Sequence, residues 1–136
     1  MPWVGDNVAA MPTVSLVLAG LAALLHVGFF VMETVLYRRP AVHRRFGVRT
    51  EAEVEATAFG MYNQGFYNLF LGLGTLVGVI GTFADWEPQG PTLVVFGCLF
   101  MIGAAVVLVA GRPAMARAAA MQGVLPALAL LTALVL

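Results

Sequence analysis

Apolar and polar positions in this chain fall in long blocks. Residues 12–37 are apolar apart from a few polar side chains, with only His26 and Glu33 ionisable before the terminal Tyr37. Residues 56–84, 88–111 and 118–136 contain no Asp, Glu, Lys, Arg or His. Each run is near or above the roughly 18–20 residues a helix needs to cross a bilayer. The pattern predicts four transmembrane helices over about 12–37, 51–83, 92–110 and 115–136. A closed β-barrel is the other spanning solution, but the alternation of period two that it requires is absent. Two Pro-bearing segments, Asp85-Trp86-Glu87-Pro88-Gln89-Gly90-Pro91 and Gly111-Arg112-Pro113, end helices because Pro lacks the backbone donor and clashes with the preceding turn. Thr50-Glu51-Ala52-Glu53 fits a capping box at the start of helix two. With connections this short, the expected fold is all-α: a single-domain, four-helix, up-down antiparallel transmembrane bundle.

Composition agrees. The 136-residue chain is 61% hydrophobic and 10% charged, against roughly 25% charged in a soluble domain. Charge placement adds an orientation. All seven basic residues fall in two loops, Arg38, Arg39, Arg44, Arg45 and Arg49 in one, Arg112 and Arg117 in the other. Asp6, Asp85 and Glu87 belong to the opposite side, with Trp3 and Trp86 as interface anchors. The positive-inside rule then places both Arg loops in the cytoplasm and both termini on the non-cytoplasmic side. The Arg-rich loop is first an orientation signal and secondarily a binder of anionic headgroups. No Lys or Arg precedes the first apolar run, which is expected to remain as helix one and not to be cleaved as a signal.

The same residues exclude several chemistries. The lone Cys98 leaves no intrachain disulfide and reads as a small buried hydrophobe. Met32, Met61, Met101 and Met121 are too scattered for a copper site and read as filler. There is no P-loop, dinucleotide fingerprint or Cys/His cluster of metal spacing, so no cofactor, no metal and no nucleic acid is expected. Gly74 and Gly78 form a GxxxG pair, and Gly97, Ala104 and Gly111 recur at heptad spacing. They are expected to mark close packing within the bundle, with a seam to a second copy, hence a homo-oligomer, as the alternative.

The candidate chemistry lies in the polar residues inside the spans. His26 and Glu33 are seven residues apart and return to one helical face, a stripe that Phe30 and Tyr37 continue. An ionised carboxylate facing lipid costs several kcal/mol, so Glu33 is expected to face the interior or a water-filled cavity. Its simpler alternative is pairing with His26 or Arg38. On helix two, Thr57, Gln64, Asn68 and Thr75 share one narrow face, with Tyr67 and then Asn63 round one flank. Gln122 lies about one turn inside helix four. Counted from the cytoplasmic ends at about 1.5 Å per residue, these groups converge in the cytoplasmic half of the bundle. They predict a one-sided pocket and not a polar path across the membrane. Interhelical glue is the alternative for the carboxamides.

Three segments carry a family resemblance: His26-x3-Phe30-x2-Glu33, Asn63-Gln64-Gly65-Phe66-Tyr67-Asn68-Leu69-Phe70-Leu71, and Gln122-x3-Pro126-Ala127. Together they resemble the signature of the DUF1304 family. The resemblance implies a small bacterial four-helix membrane protein, of unassigned function, in the cytoplasmic (inner) membrane. The family tends to a Gly-Tyr-Gly-type segment in helix three, where this chain has Gly103-Ala104-Ala105-Val106.

Three functions fit such a site. The first is a cofactor-free intramembrane enzyme acting by acid–base chemistry on a lipophilic small molecule: an isomerase, a cyclase or an epoxide-opening enzyme. Glu33 would be its general acid and His26 would exchange protons or stabilise charge. Asn63, Gln64, Asn68 and Gln122 would orient the substrate, and Phe30, Tyr62, Phe66 and Tyr67 would supply aromatic walls. The second is a small-molecule transporter, against which the one-sided Arg distribution and the half-way polar groups weigh. The third is a non-catalytic lipid-binding or assembly subunit. Membrane lipids are partners in all three.

Overall fold

The structure, a computed structural model, describes residues 10–136; Trp3 and Asp6 lie outside the described residues. It is all-helical among them. Helix α1 spans Thr13–Phe30 and runs directly into a π-helical turn, Val31–Val35. A short α2, Pro40–His43, and a 3-10 turn, Arg44–Phe46, form the Arg-rich connection. Then come α3, Glu51–Phe83, α4, Gln89–Gly111, a 3-10 turn, Pro113–Met115, and α5, Ala116–Val135. Four of these segments are long and apolar enough to cross a membrane: Thr13–Val35, Glu51–Phe83, Gln89–Gly111 and Pro113–Val135.

Boundaries follow local chemistry. The expected capping box forms at the start of α3: Thr50 Oγ1 accepts from the Glu53 amide at 3.2 Å, and Glu53 Oε2 accepts from the Thr50 amide at 2.9 Å. Two boundaries differ from the sequence expectation. Helix α4 begins at Gln89 and not near residue 92, because Pro91 falls in its first turn, where a missing amide breaks no helical bond. Helix one does not run as α-helix to residue 37. The Leu36 amide donates to the Val31 carbonyl at 2.9 Å, five residues back, which inserts an extra residue into the last turn.

The four long helices form a ring: α1 packs on α3 and α5, and α4 packs on the same two. Small residues face inward and large ones outward, as expected where lipid surrounds the bundle and close backbone approach drives packing. Ala19, Ala22, Ala23, Ala105, Ala119 and Ala129 are buried, whereas Leu24, Phe96, Val107 and Leu131 project outward. Leu16, Ala19, Val79, Val94, Cys98 and Ala129 form the core away from the Arg loops. There Ser15 Oγ, itself buried, donates to the Ala129 carbonyl at 2.6 Å and ties α1 to α5.

Glycines set the two α3 seams. A Cβ on Gly72 would lie 2.7 Å from the Ala23 carbonyl oxygen of α1, and one on Gly78 would lie 2.9 Å from the Val94 amide of α4. Thr75, between them, meets Gly97 of α4. Of the expected small-residue positions, Gly78 and Gly97 are therefore packing contacts. Gly74 and Gly111 have nothing within 4 Å of the position a Cβ would take, and Ala104 is exposed.

Gly72→Ala is expected to force α1 and α3 apart and destabilise the bundle by about 1–3 kcal/mol, the usual cost of overpacking. Gly74→Ala should leave stability within about 0.5 kcal/mol. Reversible unfolding of the two variants in mixed micelles checks the contrast; equal effects would contradict the seam assignment.

Candidate functional site

The site grows from one acidic side chain on the π-helical turn. Glu33 is only 5% exposed. Its Oε1 accepts from Gln64 Nε2 at 3.0 Å and its Oε2 accepts from Asn68 Nδ2 at 2.6 Å. Gln64 and Asn68 are four residues apart on α3, so one helical face offers two carboxamides to the two oxygens of one carboxylate. The adjacent Thr34 donates through Oγ1 to the Tyr62 carbonyl at 3.0 Å. Consecutive residues of the π turn thus both engage α3. Such turns frequently occur at functional sites.

Gly65 makes this approach possible. A Cβ there would sit 2.0 Å from Thr34 Oγ1 and 3.2 Å from Glu33 Cβ. At 100° per residue, Gln64 and Phe66 stand on opposite flanks of Gly65. On the inner flank, Gln64 and Asn68 share a face with buried Thr75. On the outer flank, Phe66 meets Phe30 of α1 edge-on at a centroid distance of 5.2 Å, and Tyr62 at 5.1 Å. This aromatic run lines the outward side of the seam. Gln64 is exposed although it holds the carboxylate, so the inner flank is open to its surroundings.

The other expected site residues lie elsewhere. His26 is 1% exposed, and its Nδ1 donates to the Ala22 carbonyl of its own helix at 2.8 Å. Its ring meets Phe29 edge-on. Seven residues separate it from Glu33, about 10 Å along the axis, and among the described hydrogen bonds none joins the two. Arg38 is engaged by Glu55 and not by Glu33. Asn63 and Tyr67 are exposed, Tyr67 to 67%, on the face of α3 turned away from the carboxylate. Gln122 is half-buried on α5, which packs on α1 and α4. The structure therefore unites Glu33, Gln64 and Asn68, flanked by Phe30, Phe66 and Tyr62. It does not bring His26, Asn63, Tyr67 or Gln122 to the carboxylate.

Sequence reasoning missed Thr34 and the spacing role of Gly65. A glycine between two carboxamides, opposite an intramembrane acid, was the available signal for the latter. It also missed the Arg-loop end of the seam. There buried Tyr37 shares a hydrogen bond of 2.7 Å with Thr57 and packs against the rings of His43 and Phe46. Among the described residues no group of three or more His, Cys, Asp or Glu is placed to hold a metal ion.

Removing one donor should be costly, because a buried polar group left unpaired bears its full desolvation penalty. Asn68→Leu is expected to destabilise by about 1–3 kcal/mol, whereas Asn63→Leu should stay within about 0.5 kcal/mol. Unfolding of both variants in the same micelles provides the comparison. A large effect from Asn63→Leu would contradict the assignment of the two carboxamides.

No curated protein and no solved structure matches this chain. A family model does: that of DUF1304, described as a protein of unknown function, covers residues 20–134. That match takes in Glu33, Gln64, Asn68 and the whole π turn, and the chain belongs to the DUF1304 family.

Proposed function

We propose that Glu33 is the proton-exchanging group of a cofactor-free, acid–base reaction on a lipophilic small molecule, such as an isomerisation or cyclisation. The observation that carries this reading is the held carboxyl group: both oxygens are oriented by α3 carboxamides, on a π turn, within a membrane-spanning segment. Orientation of an acid or base by fixed neighbours is what general acid–base chemistry requires. Intramembrane ionisable residues are functional candidates by default. The exposure of Gln64 supports approach of substrate or water from the inner flank. His26, bonded to its own helix, serves in this reading as a packing residue of α1 and not as the partner acid.

The proposed setting is a bacterial cytoplasmic membrane, with the Arg-bearing loops in the cytoplasm and both termini outside. The placement of all seven arginines in those loops supports that orientation. Contacts that pair Thr34 with Tyr62, Ala23 with Gly72, Thr75 with Gly97 and Ala105 with Gly123 support an up-down antiparallel course. Glu33 then lies in the cytoplasmic half of the bundle.

A hydrophobic carbodiimide, which reacts with protonated carboxyl groups in apolar surroundings, tests the central residue. Peptide mapping is expected to find the adduct on Glu33 in membranes at neutral pH, and Glu33→Gln should abolish it. Mass spectrometry of compounds that co-purify with the folded protein should then show a discrete lipophilic species in wild type that is lost or chemically altered in Glu33→Gln. Absence of labelling at Glu33, together with identical bulk phospholipid in both proteins, would overturn the reading. It would leave Glu33, Gln64 and Asn68 as a structural clasp.

A further inference from the structure

The Arg-rich connection between α1 and α3 contains a second site, independent of Glu33. A cleft of about 390 Å³ is lined by Arg44 and Arg49. Five residues apart in sequence, the two are brought together by a clip. The Val48 amide donates to the His43 carbonyl at 3.2 Å, and His43 Nδ1 donates to the Val48 carbonyl at 2.8 Å. His43 precedes Arg44 and Val48 precedes Arg49, so the doubly bonded pair sets both arginines on one short frame.

The frame is closed and anchored. Gly47 turns the chain with a left-handed φ of 78°, and its amide donates to the Arg44 carbonyl at 3.1 Å. The Arg49 amide donates to Glu53 Oε2 at 2.8 Å, which joins the loop to the cap of α3. The buried ring of His43 packs on Tyr37, whose hydroxyl reaches Thr57. The loop is thus built to hold a shape, whereas an orientation signal would need only its charge.

The Glu53 carboxylate lies near Arg49, on its backbone amide, but does not pair with its guanidinium. Among the described residues the ion pair is Arg38 with Glu55, and no carboxylate lies in salt-bridge reach of Arg44 or Arg49. Two arginines lining one cleft offer an entering anion two guanidinium groups. Their planar forks match the oxygens of a phosphate better than those of a monovalent inorganic ion. Basic pockets beside membrane helices bind lipid headgroups in this way. We infer that the Arg44–Arg49 cleft is a phosphate-recognition site, taking a phosphomonoester or diphosphate group carried either by a membrane lipid or by a free anion.

The test uses the full chain in detergent and native mass spectrometry with phosphatidic acid, the simplest lipid phosphomonoester. Wild type should retain the lipid, and Arg44→Gln with Arg49→Gln should weaken retention by about 30-fold, the value of two arginines at a lipid headgroup. Arg112→Gln with Arg117→Gln removes the same charge from the other loop and should bind as wild type does. Arg44→Lys with Arg49→Lys keeps the charge but loses the forks, and should fall between. Both arginines are exposed, so the variants leave the core untouched; the single variants Arg44→Gln and Arg49→Gln provide the same reading at smaller amplitude. Inorganic pyrophosphate as competitor separates the sources: displacement of the lipid supports a free anion, and retention supports a lipid headgroup. Equal loss in the two double-Gln variants, or no loss in Arg44→Gln with Arg49→Gln, would reduce the cleft to diffuse surface charge and overturn the site.

Discussion

A carboxylate inside a membrane-spanning helix cannot be left without donors, and much of this structure follows from meeting that need. An acidic side chain within a membrane span is costly to leave without partners, and α3 supplies one carboxamide donor to each oxygen of Glu33. Both bonds form only if α3 can come close. Gly65 allows that approach, and the π turn presents Glu33 and Thr34 to α3 together. On the outward side Phe30, Phe66 and Tyr62 pack ring against ring along the same seam.

Two kinds of packing surround this centre. Away from the Arg loops, small residues and Ser15 hold the four long helices together around an apolar core. Towards the Arg loops the polar clasp takes over, and below it Tyr37, His43 and Phe46 dock the connecting loop onto the start of α3. The loop that frames Arg44 and Arg49 is therefore continuous with the element that carries Glu33. Both sites share α3 as their rigid wall, since its cap anchors Arg49 and its carboxamides hold the acid.

Much of this was legible in the sequence because membranes simplify the reading. Long uncharged runs gave the four spans, and the shared face of Thr57, Gln64, Asn68 and Thr75 gave the inner side of α3. The capping box of Thr50 and Glu53 formed as its spacing required. What failed did so for physical reasons. A uniform 100° helix put His26 and Glu33 on one stripe, but a shared stripe does not bring together groups about 10 Å apart along the axis. The extra residue of the π turn that carries Glu33 also alters the uniform register. Asn63 and Tyr67 belonged to the same short motif as Gln64 and Asn68, yet helical geometry turns them round the flank of α3, where both are exposed. The GxxxG pair divided for a similar reason, since Gly78 lies on the α4 seam and Gly74 does not. The His43–Val48 clip rests on backbone geometry that no residue pattern in the loop announces.

The most direct measurement is the infrared absorption of the Glu33 carboxyl group, isolated by subtracting the spectrum of Glu33→Gln from that of wild type in lipid bilayers. Its frequency reports the donors on its two oxygens. If Gln64 and Asn68 hold the group, Asn68→Leu should shift the band as one donor is lost, and Asn63→Leu should leave it in place. A band unmoved by Asn68→Leu, or moved equally by Asn63→Leu, would contradict the clasp on which the proposed chemistry rests.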